Sequence, residues 1–274
     1  MKGRSSETSS ERPVSSRRYL FGRGVDDYFK GIANAAAFVG RFFKEVFRLP
    51  IHLREIIRQS YYTGVKSLPL IALTGFIIGV VFTKQSRPPL EDFGATSWLP
   101  SLMGIAIIRA LGPLVTSLIC AGKVGSNIGA ELGSMKVTEQ IDAMEVSAIN
   151  PFKFLVVTRV LATTFTIPIL TIFCISVGLL GSYVNVHQEE ATGIITFFRG
   201  AFSSLSFLDV ASSLAKSVLF GFTVGMVGCY KGFHATQGTQ GVGRAANQAV
   251  VLSMFLIFLE ELVVVQITNW IRLY

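Results

Sequence analysis

The sequence predicts an all-α polytopic membrane protein. N-terminal interfacial amphipathic helices come first, then five transmembrane helices, with a cytoplasmic helix between the second and third. Three observations carry this expectation. Half of the 274 residues are hydrophobic and only 15% are charged, where a soluble domain carries roughly 25%. The apolar residues gather into five runs that approach or exceed the ~20 helical residues needed to cross hydrocarbon. The formal net charge of +8 is concentrated before residue 67 and in alternate loops.

Residues 1–24 are rich in Ser and Arg and lack the apolar core of a signal peptide, so a disordered cytoplasmic tail is expected there. Residues 25–63 read as interfacial amphipathic helices. Tyr28, Ile32, Ala35, Val39, Phe42, Phe43, Val46 and Phe47 recur at helical spacing, with Lys30, Arg41 and Lys44 largely between them. Leu49-Pro50 is expected to break the pattern before a second short helix, from Ile51 to about Tyr62. A soluble helical hairpin is the competing reading. The basic cluster also fits nucleic acid in principle, but a cytoplasmic membrane flank explains the same charge, and nucleic acid is not an expected partner.

Residues 64–274 form the five-span domain, with spans at about 64–82, 98–121, 154–186, 208–230 and 245–270. Gly75 and Gly79 in the first span make a G-x-x-x-G pair suited to close helix contact. Arg109 and Gly112-Pro113 lie inside the second span. Lys123, Lys136, Lys153 and Arg159 surround the loop after that span, and Lys231 and Arg244 bracket the loop before the fifth. The intervening loops carry Glu91, Asp92, Glu189 and Glu190. The positive-inside rule therefore places the N-terminus in the cytoplasm and, with five spans, the C-terminus outside.

The segment from Ala121 to Ile149 then faces the cytoplasm. It is polar, punctuated by glycine, and holds four carboxylates, Glu131, Glu139, Asp142 and Glu145. Val137, Ile141, Met144 and Ala148 share helical spacing, while Glu139, Gln140, Asp142 and Glu145 fall on other faces. Thr138 is the expected N-cap, with Glu139 and Asp142 at the positive end of the dipole. A short surface helix with one apolar and one acidic face results. Composition alone favours a plainer solvated loop.

Charges inside the spans are the second clue. Arg109 lies about 11 residues into its helix, or ~16 Å at 1.5 Å per residue. Lys216, Glu260 and Glu261 fall in the same outer half of the membrane. Each would cost about 2.5–3.5 kcal/mol at mid-depth unless paired or wet. A structural ion-pair cluster and a polar patch for a lipid headgroup are both open. Lys216 with Glu261 is the expected pair. The three cysteines lack metal-ligand spacing and read as small buried hydrophobes. The run Gly238–Gly243 lacks the ending of a phosphate loop and is expected to be a tight turn. No catalytic or metal constellation is visible, and no cofactor is expected in this chain.

The block AGKVGSNIGAELGSMKVTEQIDAMEV, followed by NPFKFLVVTRVLA, resembles the signature of the MlaE-type permeases, the membrane subunits of ABC lipid transporters that work with MCE-domain proteins. Arg109 to Pro113, Lys216 to Val218 and Gly232 to Ala245 extend the resemblance across roughly residues 60–270. It implies a homodimer in the inner membrane of a Gram-negative-type bacterium. It also implies a pair of cytoplasmic ATPases, which would hold the ATP and Mg, and a ring of periplasmic MCE subunits. The stretch 131–147 would be the coupling helix, with Glu131, Thr138, Glu139, Gln140, Ile141, Asp142, Met144 and Glu145 at the ATPase. Ile141 and Met144 would fill an apolar slot there, and ATP hydrolysis would change the spacing of the two coupling helices. Leu70, Leu73, Thr74, Ile77 and Ile78, with Phe255 and Leu259, would wall a lipid pocket at the dimer interface. Ala110 departs from the family, where an acid commonly follows the arginine. The expected function is movement of phospholipid or a related lipid between the inner membrane and an MCE protein. An ion-driven secondary transporter would need inverted repeats, which are not visible. A non-transporting scaffold would leave Arg109, Lys216 and Glu261 without a task.

Overall fold

The computed structural model describes residues 16–48 and 52–273, side chains included from residue 29 to residue 272. Within these residues every regular element is helical. The first fifteen residues of the expected tail and the Leu49-Pro50 break lie outside them. Helix α1 (Ser16–Val46) begins earlier than the expected start at Val25. The described residues divide after Lys44 into two compact units. In the first, α1 leaves Phe29, Ile32 and Phe43 exposed.

The second unit contains α2 (Leu53–Gly64) and α3 (Leu68–Asp92). Then come α4 (Thr96–Val137), α5 (Gln140–Val146), α6 (Phe152–Glu190), α7 (Ile194–Ser203), α8 (Phe207–Phe233) and α9 (Thr239–Leu273). Helices α3, α4, α6, α8 and α9 are each long and apolar enough to cross a membrane. Helix α6 is the hub: α2, α3 and α8 pack on it, while α9 packs on α8 and on the later half of α4.

Missing side chains set the helix spacing. A Cβ on Gly79 would strike the carbonyl oxygen of Gly178, and one on Gly75 would lie 3.0 Å from the Cys174 carbonyl oxygen. The G-x-x-x-G pair of α3 thus meets the backbone of α6. Beside it, Thr83 Oγ1 and Ser182 Oγ are 2.7 Å apart, and Thr83 Oγ1 also donates to the Gly79 carbonyl oxygen at 2.7 Å. Such small-residue contacts let van der Waals packing act between helices that lipid separates no less readily than water does.

Three bounds differ from expectation. Helix α4 does not end near Ala121 but continues to Val137, 42 residues in all. At 1.5 Å per residue it is roughly 63 Å long, about twice the hydrocarbon thickness. The glycines of that extension are packing residues, not loop punctuation. A Cβ on Gly129 would lie 3.2 Å from Ala246 Cα, and one on Gly232 of α8 would lie 2.7 Å from Leu132 Cβ. Second, the expected turn over 238–243 is confined to the residues before Thr239. Gly238 takes φ +90°, and α9 has begun by Thr239. Third, the loop between α6 and α8 contains α7. Phe197 and Ala201 of α7 are buried with Leu99, Met103 and Ile107 of α4.

Three π-helical turns interrupt the helices among the described residues, at Ile107–Leu111, Ala121–Gly125 and Phe152–Val157. Such turns re-aim side chains and recur at functional sites. The first contains Arg109 and the second Lys123.

Candidate functional site

Two regions bring the predicted site residues together, one at each end of the spans.

At one end, α4 ends at Thr138 and the chain re-enters a helix at Gln140. Thr138 is not the N-cap of that helix. Its backbone N–H and its Oγ1 both donate to the Ser134 carbonyl oxygen, at 3.0 and 2.8 Å, so it closes α4. Glu139 occupies the N-cap of α5 with φ +58°, and no side chain caps the helix. A threonine hydroxyl four residues beyond a free carbonyl has this competing local partner. The expected helix over 131–147 is therefore two helices with a left-handed residue between them. Ala148, at φ +58°, lies beyond the end of α5.

The acids divide accordingly. Glu131 lies on α4, and its Oε1 is 2.8 Å from Arg159 Nη2 of α6. Only 4% of the Arg159 side chain is exposed, and its Nη1 also donates to the Leu155 carbonyl oxygen at 3.1 Å. Glu131 therefore neutralises a buried arginine and braces α4 against α6. Asp142 is 2.8 Å from Lys136 and ties α5 back to α4. Glu139, Gln140 and Glu145 are exposed. Ile141 is 1% exposed, so it anchors α5 from within and does not reach outward as expected. Met144 is half-buried. The outward apolar residue is Val146, 90% exposed, which the periodicity of Val137, Ile141, Met144 and Ala148 passed over.

The other region lies where α4, α8 and α9 meet. Pro113 has no N–H, so the Arg109 carbonyl, four residues earlier, lacks its α-helical donor. Lys216 Nζ of α8 donates to that oxygen at 3.3 Å and sits 2.6 Å from Glu261 Oε1 of α9. The two side chains are 2% and 15% exposed. The other cation of this region, Arg109, with its side chain 22% exposed, turns elsewhere. Its Nη2 donates to Asn269 Oδ1 at 2.7 Å, and its Nε lies 3.8 Å from Asp209 Oδ1. Glu260 accepts from Thr223 Oγ1 and has no cation beside it among the described ion pairs.

Asp209 is the residue the sequence reading missed. Its Oδ2 accepts from the Ser206 N–H at 3.0 Å in a capping box that starts α8. Its Oδ1 is shared by Arg109 and Arg272. The spacing Ser206-x-x-Asp209 ahead of an apolar run signals the cap but not the two arginines that share Asp209.

The expected pocket residues form no enclosed wall in one copy. Leu70, Leu73, Ile77, Phe255 and Leu259 are 44–60% exposed, and Thr74 and Ile78 are half-buried. They lie on open helix faces, because α3 packs on α6 and α9 packs on α8 and α4. Cys120, Cys174 and Cys229 are buried free thiols. No cluster of three His, Cys, Asp or Glu is placed to hold a metal among the described residues.

Residues 56–267 match the family model described as Permease MlaE. A "probable ABC transporter permease protein" of Rickettsia prowazekii is 34% identical over 250 residues, covering 91% of this chain and 96% of the relative. A protein of the same description from Synechocystis is 32% identical over 234 residues, covering 85% of this chain and 89% of the relative. The Arabidopsis thaliana chloroplastic protein named trigalactosyldiacylglycerol 1 is 32% identical over 224 residues, covering 82% of this chain and 64% of the relative.

Proposed function

The chain belongs to the MlaE permease family of ABC transporter membrane subunits, and from that premise we propose that it moves phospholipid or a related lipid. The movement runs between the inner membrane and a periplasmic MCE protein, driven by a separate cytoplasmic ATPase. As a permease subunit of this class it is a non-catalytic component whose transporter includes an ATPase. A lipid cargo is supported by the Arabidopsis relative, whose name is that of a galactosylated diacylglycerol.

The observation that carries the coupling part is α5. It is short, tied to α4 through Asp142 and Lys136, anchored by buried Ile141, and it presents Val146, Glu139 and Glu145 outward. An exposed apolar residue with flanking acids suits a slot rimmed by basic residues. Because α4 continues as one helix from the membrane to Val137, with π turns at Ile107–Leu111 and Ala121–Gly125, a push on α5 reaches Arg109 along a single helical element.

The open faces of α3 and α9 support a homodimer with lipid between its halves. Span α9 contains the most apolar stretch of the five spans and the least buried one. Val251, Phe255, Phe258, Leu259, Leu262 and Val263 form one exposed stripe along it. A second copy on that stripe would turn Phe255 and Leu259 into pocket wall. The orientation follows the positive-inside rule, with α5 and the N-terminus cytoplasmic and the C-terminus periplasmic.

Lipid mass spectrometry of the complex purified with its ATPase tests the reading. Co-purified phospholipid together with lipid-stimulated ATPase activity is the expected result. A lipid-free complex whose ATPase ignores added lipid would refute the cargo.

A further inference from the structure

A cavity of about 820 Å³ opens between the end of α2, the start of α3, the second π turn of α4 and the start of α9. It lies at the α5 end of the molecule, far along α4 from Lys216 and Glu261. Its charged lining is Arg58, Lys66, Lys123 and Glu131. Two of these are already compensated: Arg58 Nη2 is 2.8 Å from Glu55 Oε1, and Glu131 is held by Arg159. Lys66 and Lys123 have no carboxylate within ion-pair range among the described residues. Lys66 Nζ stands 4.3 Å from the centre of the Tyr62 ring. Lys123 Nζ donates to the Lys66 carbonyl oxygen, which uses one of its three protons and leaves two.

A second observation points the same way without charge. Ser67 lines the cavity, is 1% exposed, and its Oγ has no hydrogen-bond partner. An unmade bond on a buried hydroxyl is a cost to the fold that a ligand acceptor would recover. Ser67 also stands at the N-terminus of the 25-residue helix α3, where the dipole favours negative charge. Val124, Ile128 and Val242 supply an apolar flank to the same cavity. The site therefore offers two ammonium groups and a hydroxyl to an anion, and hydrocarbon to whatever the anion is attached to.

We propose that this cavity binds a phosphate group, presented by a phospholipid headgroup at the membrane surface, with Lys66 and Lys123 as its charge partners and Ser67 as a hydroxyl donor. The π turn at Ala121–Gly125 holds Lys123 toward that group, and α4 links the site directly to α5. The assignment stands on this cavity alone and does not depend on which cargo the transporter moves.

Native mass spectrometry of the full chain in detergent, with its ATPase where the two co-purify, tests the site. The probes are phosphatidylglycerol, diacylglycerol of the same chains, and inorganic phosphate. The wild type should retain phosphatidylglycerol at least tenfold more tightly than the Lys66→Gln/Lys123→Gln double variant. Ser67→Ala should weaken retention severalfold, and Lys66→Arg/Lys123→Arg should keep it. Lys231→Gln, at the same end but outside the cavity, should change nothing. Diacylglycerol should not be retained. Competition by inorganic phosphate at lipid-equivalent concentration would identify free phosphate as the source, and failure to compete identifies the headgroup. Equal retention of phosphatidylglycerol by the wild type and the Gln double variant, with the Arg variant folded, would overturn the assignment. So would retention of diacylglycerol as tightly as phosphatidylglycerol.

Discussion

Replacing Lys216 with Met removes the cation from a pair whose atoms are 2.6 Å apart and whose side chains are almost wholly enclosed. What remains is Glu261 with neither oxygen paired, since its Oε2 already lacks a partner. Breaking one side of a buried ion pair costs about 3–5 kcal/mol. The Arg109 carbonyl also loses its donor, for which Pro113 offers no substitute, adding about 1 kcal/mol. At roughly 2–4 °C per kcal/mol for a chain of this size, the apparent melting temperature should fall by ~8 °C or more. Glu261→Gln should cost less, because the amide can still accept from Lys216. The swap Lys216→Glu/Glu261→Lys should recover the ion-pair part but not the Arg109 bond, since a carboxylate at 216 cannot donate to a carbonyl. The assay is thermal unfolding followed by size-exclusion fluorescence in one detergent, with transport measured on the same variants. Single variants as stable as the wild type, or losses that simply add in the swap, would refute the reasoning.

The remaining predictions concern packing and coupling. Gly79→Val should abolish folded protein in the membrane fraction, because its Cβ alone would overlap the Gly178 carbonyl oxygen and backbone cannot yield as a side chain does. Ile141→Ala should destabilise α5 by about 2–5 kcal/mol, whereas Val146→Ala should move stability by less than ~0.5 kcal/mol, and hydrogen exchange across residues 140–146 separates the two. Asp209→Ala removes both the capping box of α8 and the anchor for Arg109 and Arg272. It should lower stability by at least about 1 kcal/mol, since the Ser206 N–H loses its acceptor and two arginines lose their carboxylate, read by the same thermal assay.

Much of this fold is legible in sequence, because a bilayer leaves few options. Apolar length marks the spans and a missing Cβ marks the contacts, so Gly75 and Gly79 could be read as an interface before their partner on α6 was known. The region after Ala121 was harder for the same reason inverted. Polar residues and glycines there mimic a loop, yet Gly129 and Gly133 exist to admit Ala246 and Ala235, and a helix packed on protein needs no hydrophobic run. The α5 register misled because Thr138 has two possible uses, capping the next helix or closing the last. Only the left-handed Glu139 separates them. The buried charges were visible as anomalies, and the pair of Lys216 with Glu261 follows from depth and sign. Asp209 was not found, since its spacing advertises a cap and gives no hint that two arginines converge on it.

The central claim is that outward contacts of α5 convert ATP hydrolysis in a partner into lipid movement through the spans. The direct measurement is transfer of labelled phospholipid from proteoliposomes containing the chain and its ATPase, with and without ATP, for the wild type and Val146→Asp. Val146 is 90% exposed, so that substitution should leave the fold and the melting temperature unchanged. The account predicts ATP-dependent transfer in the wild type and its loss in the variant, with the ATPase dissociated or uncoupled. Transfer that proceeds without ATP, or that Val146→Asp leaves intact, would contradict it.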